Sequence, residues 1–219
     1  MGAVAVFEAL SDLDTAYTTE AATLANSSPP SRPQREEYLE LAISRADPKL
    51  SETFDRTFLH ALTEVNFWIS EKREVSNVHP SVAMLFSSSY IFEIVYHYLI
   101  QPKAGDWVIR AEVYLQILIL VTTLAARNGL NHLVMQPRNI KQMCGLHNII
   151  WTKGKILWEE GLEGTLPPLY TIITQLNDCS QALLKLQESM RSSQLRQKAW
   201  SLQRQIHILK LNQVCGPDC

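Results

Sequence analysis

Residues 80–100 read PSVAMLFSSSYIFEIVYHYLI, and residues 107–127 read WVIRAEVYLQILILVTTLAAR. Met84-Leu85-Phe86, Tyr90-Ile91-Phe92, Ile94-Val95-Tyr96 and Tyr98-Leu99-Ile100 make the first stretch apolar almost all round, which places a helix in the middle of its domain. The second stretch is apolar on most sides until Asn128-Gly129 ends it, with Asp106 as the expected N-cap. Only residues 101–106 separate the two. The expectation is therefore an antiparallel central hairpin of two long buried helices, with the rest of the chain packed around it.

On both sides of this hairpin apolar residues recur at three and four, and no alternating strand pattern is flanked by hairpin turns. The fold class expected is all-α, with seven or eight helices in an irregular bundle or a HEAT- or armadillo-like stack. In residues 3–25, Val6, Leu10, Leu13, Tyr17 and Leu24 share one side, with Glu8, Asp12, Asp14 and Glu20 elsewhere. Asn26-Ser27-Ser28-Pro29-Pro30-Ser31-Arg32-Pro33 reads as a linker. A second helix is expected over residues 34–45, and Asp47-Pro48 supplies a cap and a first-turn proline for a third over residues 48–73. A sixth is expected between Pro137 and Glu160.

Pro167-Pro168 opens the last helical region, where Leu169, Ile172, Leu176, Cys179, Leu183, Leu186 and Met190 form a heptad stripe. A second stripe follows at Leu195, Ala199, Leu202, Ile206 and Leu209, out of phase with the first. The closing helix is thus expected to pack separately from its predecessor. The organisation read from this is an acidic amphipathic helix (1–26), a Pro/Ser linker (27–33), a helical core (34–190), and a basic amphipathic helix with its tail (191–219).

Residues 1–126 carry nine basic and 16 acidic side chains, a net charge of −7, whereas residues 127–219 carry 11 and six, a net charge of +5. The basic half is suited to an acidic surface, either of the first helix or of a partner. The run from Val113 to Ala126 is interrupted by Gln116, Thr122 and Thr123 and is too short to span a bilayer. No secretory leader is read at the start. Four scattered cysteines, Cys144, Cys179, Cys215 and Cys219, do not suit a disulfide framework and point to a reducing intracellular compartment, cytoplasmic or nuclear.

Gly-rich phosphate loops, Gly-x-Ser-x-Gly, His-Glu-x-x-His and calcium loops are absent, which argues against an enzyme without excluding one. Glu93 and His97, four apart on the most apolar stretch, have the spacing of an acid/base pair, although most such pairs are structural; Glu93 is equally suited to hydrogen-bond Ser89, Tyr90 or Arg110. His132, Cys144 and His147 are the nearest approach to a metal site and lack a fourth ligand, so no metal or cofactor is expected. Arg138, Lys141, Lys153 and Lys155 with Trp151 and Trp158 have the composition of a nucleic-acid contact without a binding signature; a solvated face is the preferred reading.

Between Arg191 and Lys210 the closing helix carries five cations and no acidic residue. Leu195, Arg196, Lys198, Trp200, Leu202, Arg204, Ile206 and Leu209 are its candidate partner-binding residues, because basic amphipathic helices lie in grooves of acidic partners. The functional expectation is a non-enzymatic interaction module, a scaffold or complex subunit. Its partner would be a protein, acidic or helical, or a second copy of the chain. Nucleic-acid binding through residues 138–155 and 191–210 is the alternative, followed by an enzyme centred on Glu93 and His97.

Overall fold

The computed structural model describes residues 2–71, 78–100, 104–143, 145–146, 157–158, 165–176 and 193–214. Among them the fold is mainly helical, with ten helices and four very short strands. Helix α1 (Gly2–Ala25) buries Val6, Leu10, Leu13, Tyr17 and Ala21 against α2 (Arg32–Ser44), α3 (Pro48–Glu71) and α4 (Pro80–Ser88). Two expectations about this helix are corrected. Leu24 is 46% exposed, and Asp14 is only 1% exposed. At about 100° per residue, Asp14 shares the face of Leu10, Tyr17 and Ala21, so its carboxylate enters the core and must find donors there.

Local chemistry sets the helix starts. Gln34 Oε1 accepts the Ser31 backbone N–H at 2.8 Å, and Pro33 occupies the first turn of α2. Asp47 Oδ1 accepts the N–H groups of Lys49 and Leu50 at 2.9 and 3.2 Å, the cap that Asp47-Pro48 implied for α3.

Neither central stretch is one continuous helix. The first divides into α4 and α5 (Ile91–Ile100), bent by 62°. At the bend Asp14 Oδ1 accepts the Ser89 hydroxyl at 2.7 Å and the Tyr90 N–H at 2.9 Å, while Ser89 Oγ accepts the Ile91 N–H at 3.1 Å. Asp14 of α1 thus takes the Tyr90 N–H, and Ser89 Oγ the Ile91 N–H, that a continuous helix would have used internally. The second stretch divides into α6 (Ala104–Ile109) and α7 (Ala111–Ala125) at Arg110, whose φ of −100° and ψ of 30° are non-helical; Asp106 lies inside the first turn of α6 rather than at a cap. The expected hairpin pairing is corrected as well, since α7 packs chiefly against α3 and the closing helix. It meets α5 through the Tyr114 hydroxyl, which donates to the Tyr98 carbonyl at 3.3 Å.

After α8 (His132–Met135) the sixth helix expected between Pro137 and Glu160 gives way to strands at residues 138–139, 141–143 and 157–158. β1 (Arg138–Asn139) pairs antiparallel with β4 (Thr165–Leu166), and β2 (Lys141–Met143) pairs with β3 (Leu157–Trp158). Helix α9 (Leu169–Gln175) buries Leu169, Ile172 and Ile173, and Leu176 follows them into the core. The rest of the heptad stripe, Cys179, Leu183, Leu186 and Met190, lies outside the described residues. The closing helix, α10, runs Ser193–Val214.

A row of aromatic rings runs through the core. Consecutive ring centroids from Tyr17 through Tyr38, Phe54, Phe58, Tyr98 and Tyr114 to Trp107 lie 5.8, 5.6, 6.2, 5.3, 5.7 and 4.4 Å apart. This row links α1, α2, α3, α5, α7 and α6 through one continuous interior, in contacts that add to the stabilisation from apolar burial itself. Among the described residues no single helix is long and apolar enough to cross a membrane. The bent pair α4 and α5 reaches the length only together, and most of its apolar side chains lie in this core.

Candidate functional site

Helix α10 divides its surface between two tasks. Ala199, Leu202 and Ile206, spaced three and four apart, are fully buried, and the helix lies on α7 with α6 beside it. Lys198 Nζ sits 3.1 Å from Glu112 Oε1 at the start of α7, and Gln205 Nε2 donates to Thr122 Oγ1 at 3.1 Å near its end. The two helices therefore run in the same direction. This corrects the expectation that the stripe of α10 faces outward: Leu202 and Ile206 are covered by the molecule's own helices and are withdrawn as partner-binding residues. Leu195, Arg196 and Leu209 belong to α10, but their side chains lie outside the described set.

The opposite face remains open. Gln197, Trp200, Arg204 and His207 are all exposed and recur at three, four and three. At about 100° per residue they lie about 150° round the helix from the buried stripe. Trp200 is 51% exposed, and the Arg204 guanidinium carbon stands 5.4 Å from its ring centroid. Of the candidate residues, Trp200 and Arg204 share this face, while Lys198 is half-buried against Glu112.

The second candidate centre, Glu93 and His97, is placed differently from the expectation. Glu93 Oε1 accepts the Tyr17 hydroxyl at 2.9 Å and Arg35 Nε at 3.1 Å, and Oε2 accepts Arg35 Nη2 at 3.4 Å. Its partners are thus Tyr17 and Arg35, not the expected Ser89, Tyr90 or Arg110. Arg35 is fully buried, donates to the Pro30 carbonyl at 3.4 Å and lies 4.7 Å from the Tyr90 ring centroid. Burial is the largest single influence on Arg35 and opposes its charge, but Glu93 together with Tyr90 and Tyr17 outweighs it and holds the cation firmly protonated. Burial first, then Glu93, pushes the Tyr17 hydroxyl well above its ordinary range. Burial also lowers His97 below 6.5 against the opposing pull of Glu93, Glu36 and Glu40, so the imidazole is neutral at pH 7.

A carboxylate committed on both oxygens to a buried guanidinium is the arrangement of an internal ion pair rather than of a general base. A cavity of about 540 Å³ lies elsewhere, lined by Thr15, Thr18, Thr19, Thr23, Ser27 and Pro30 among others, and contains neither Glu93 nor His97.

Among the described residues no group of three or more His, Cys, Asp or Glu side chains is placed to hold a metal ion. His132 is exposed on α8, while Cys144 and His147 fall outside the described set. Of the basic cluster, Arg138 is half-buried with its guanidinium carbon 4.0 Å from the Phe92 ring centroid, a recessed position unlike a surface contact to a nucleic-acid backbone. Lys153, Lys155 and Trp151 lie outside the described residues, and Lys141 and Trp158 contribute backbone to β2 and β3.

The sequence reading missed three polar anchors. Asp14 is one and Arg35 the second. Arg110 is the third: its Nε meets Asp55 Oδ2 at 2.6 Å, while Nη1 and Nη2 donate to the carbonyls of Ile43 and Ala42 at 2.5 and 3.0 Å. Those carbonyls end α2, so Arg110 caps one helix while it interrupts another. The available signal was a charge on an apolar face: Asp14 between Leu10 and Tyr17, and Arg110 between Trp107 and Tyr114.

The chain matches no protein-family profile, no curated protein and no solved structure.

Proposed function

We propose that this chain is a non-enzymatic interaction module, a scaffold or complex subunit, that docks an acidic protein partner on the outer face of α10. One observation carries the reading: Trp200 stands half in solvent beside Arg204 on a helix whose opposite face is already fastened to α7. Tryptophan and arginine are the side chains most enriched at binding hot spots, where one supplies apolar area and the other a carboxylate fork. The helix has no acidic residue between Arg191 and Lys210, so a partner carrying Asp or Glu around an apolar groove complements it.

A second copy meeting this face with the same face would oppose cation to cation, which favours a different chain over a homo-oligomer. The four scattered cysteines support an intracellular setting, nuclear or cytoplasmic, for that encounter. The test is quantitative affinity capture with the full chain and its Trp200→Asp/Arg204→Glu variant. The proposal expects the variant to lose the acidic interactors of the parent while melting at the same temperature. Equal capture by both chains would remove the named face.

A further inference from the structure

Asn128-Gly129 is the one place in the sequence where asparagine precedes glycine. The two residues form the tip of the turn between α7 and α8, closed by the Leu130 N–H, which donates to the Arg127 carbonyl at 3.1 Å. Gly129 takes the third position of that turn with φ of 86°, a conformation that favours glycine. Both residues are exposed, and nothing lies within 4 Å of the point a Gly129 Cβ would occupy. Among the described residues no hydrogen bond engages the Gly129 N–H or the Asn128 side-chain amide.

An asparagine amide reacts with the backbone nitrogen that follows it when that nitrogen is unhindered and its N–H is not already committed. Glycine brings no side chain across the line of attack, and an N–H without a protein acceptor need not first give up a hydrogen bond. Every other asparagine precedes a residue with a side chain. Asn66 is in addition buried within α3, where its Nδ2 donates to the Gln116 carbonyl at 2.9 Å. We infer that Asn128 is a site of spontaneous, enzyme-free conversion to aspartate and isoaspartate, with water as the co-reactant.

The Gly129 nitrogen, its proton released to solvent, bonds to Asn128 Cγ; the Cγ–Nδ2 bond breaks and ammonia leaves with a proton regained from solvent. Water then opens the cyclic imide at either carbonyl. Breaking the new N–Cγ bond leaves aspartate. Breaking the bond from that nitrogen to the Asn128 backbone carbonyl carbon leaves isoaspartate, with the chain rerouted through Cβ and Cγ. No atom is oxidised or reduced. Either product sets a carboxylate beyond the last carbonyls of α7, where the helix dipole disfavours it. Isoaspartate also lengthens the backbone inside the turn and so disturbs the Arg127 carbonyl, which accepts the N–H groups of Leu130 and Asn131, each at 3.1 Å. Leu130, Leu133 and Val134 are buried, so the altered turn is transmitted to the core. None of this depends on the docking face of α10.

The test ages the full chain in mildly alkaline and mildly acidic buffer beside a synthetic peptide of residues 124–133, and reads position 128 by peptide mapping with mass spectrometry. The amide-to-acid mass shift is expected to accumulate at position 128 of the folded chain alongside that of the peptide. It should run faster in alkaline buffer, because the attacking nitrogen must lose its proton, and ahead of Asn26 and Asn131. The converted chain should melt about 2–4 °C lower, while Asn128→Gln aged in parallel holds its melting temperature. No shift at position 128 while the peptide converts, or conversion no faster than at Asn26 or Asn131, overturns the site. An equal fall in melting temperature in Asn128→Gln overturns its effect on the turn. The mapping uses the parent chain alone and decides the site even if the variant fails to fold.

Discussion

Lys198 reaches Glu112 at 3.1 Å, and this contact marks where the basic closing helix finds its acidic complement within the molecule: at the start of α7. Both side chains are substantially exposed, so the pair orients α10 more than it stabilises it. The apolar contact carries the attachment. Lys198→Ala should lower stability by less than about 1 kcal/mol. Leu202→Ala, which opens a cavity against α7, should lower it by about 2–4 kcal/mol. Trp200→Ala on the outer face should leave it within about 0.5 kcal/mol. Urea unfolding of the three variants checks the order.

The Arg35–Glu93 pair should show the asymmetry of a buried ion pair. Glu93→Gln takes the Glu93 charge away from a fully buried guanidinium and should cost about 3 kcal/mol or more. The double variant Arg35→Met/Glu93→Leu, which removes both charges, should recover much of that loss. Chemical denaturation of the single and double variants measures the difference.

Asp14 ties the break between α4 and α5 to the distant Leu146, whose N–H donates to Asp14 Oδ2 at 2.9 Å. Asp14→Asn places an amide NH₂ against at least one backbone donor and should cost about 1–3 kcal/mol. Gly145 permits the close approach: a Cβ there would stand 2.9 Å from Tyr90 Cε2 and 3.1 Å from Asp14 Oδ2. Gly145→Ala should therefore destabilise comparably, and the two substitutions should be non-additive in a double-mutant cycle because they break one junction.

His97 gives a pH dependence of definite sign. Its folded-state pKa lies below the ordinary 6.5, chiefly through burial, with Glu93, Glu36 and Glu40 pulling upward and Arg32 downward. Above about pH 6.5 both folded and unfolded states hold a neutral imidazole and no stability is lost. Below it the unfolded chain binds the proton first, so stability falls at up to about 1.4 kcal/mol per pH unit until the folded-state value is passed. His97→Gln should flatten that part of the stability profile, and melting at pH 7.5, 6.5 and 5.5 tests it.

The helical class was legible because it rests on local pattern: the periodic apolar residues of α1 and α3 and the Asp47-Pro48 cap act within a few residues. What escaped depends on distant partners. The bend at Ser89-Tyr90 is set by Asp14, some 75 residues away. The strands at residues 138–143, 157–158 and 165–166 are too short to show a two-residue period. Charge balance pointed the basic helix toward acidic α1, but charge complementarity is permissive. The fit of Ala199, Leu202 and Ile206 on α7 decides its position, and one carboxylate, Glu112, suffices to meet Lys198. The site residues divide accordingly: their helical spacing was visible, whereas the side of the helix left open was not.

In the function proposed above, α10 keeps one face on α7 and offers the other to a partner. Site-specific photo-crosslinking in the intact chain measures this directly, with benzoylphenylalanine placed at position 200 or at position 202. Position 200 is expected to form adducts with a second, acidic polypeptide and position 202 to link only within the chain. Intermolecular adducts from position 202, or none from position 200, would contradict it.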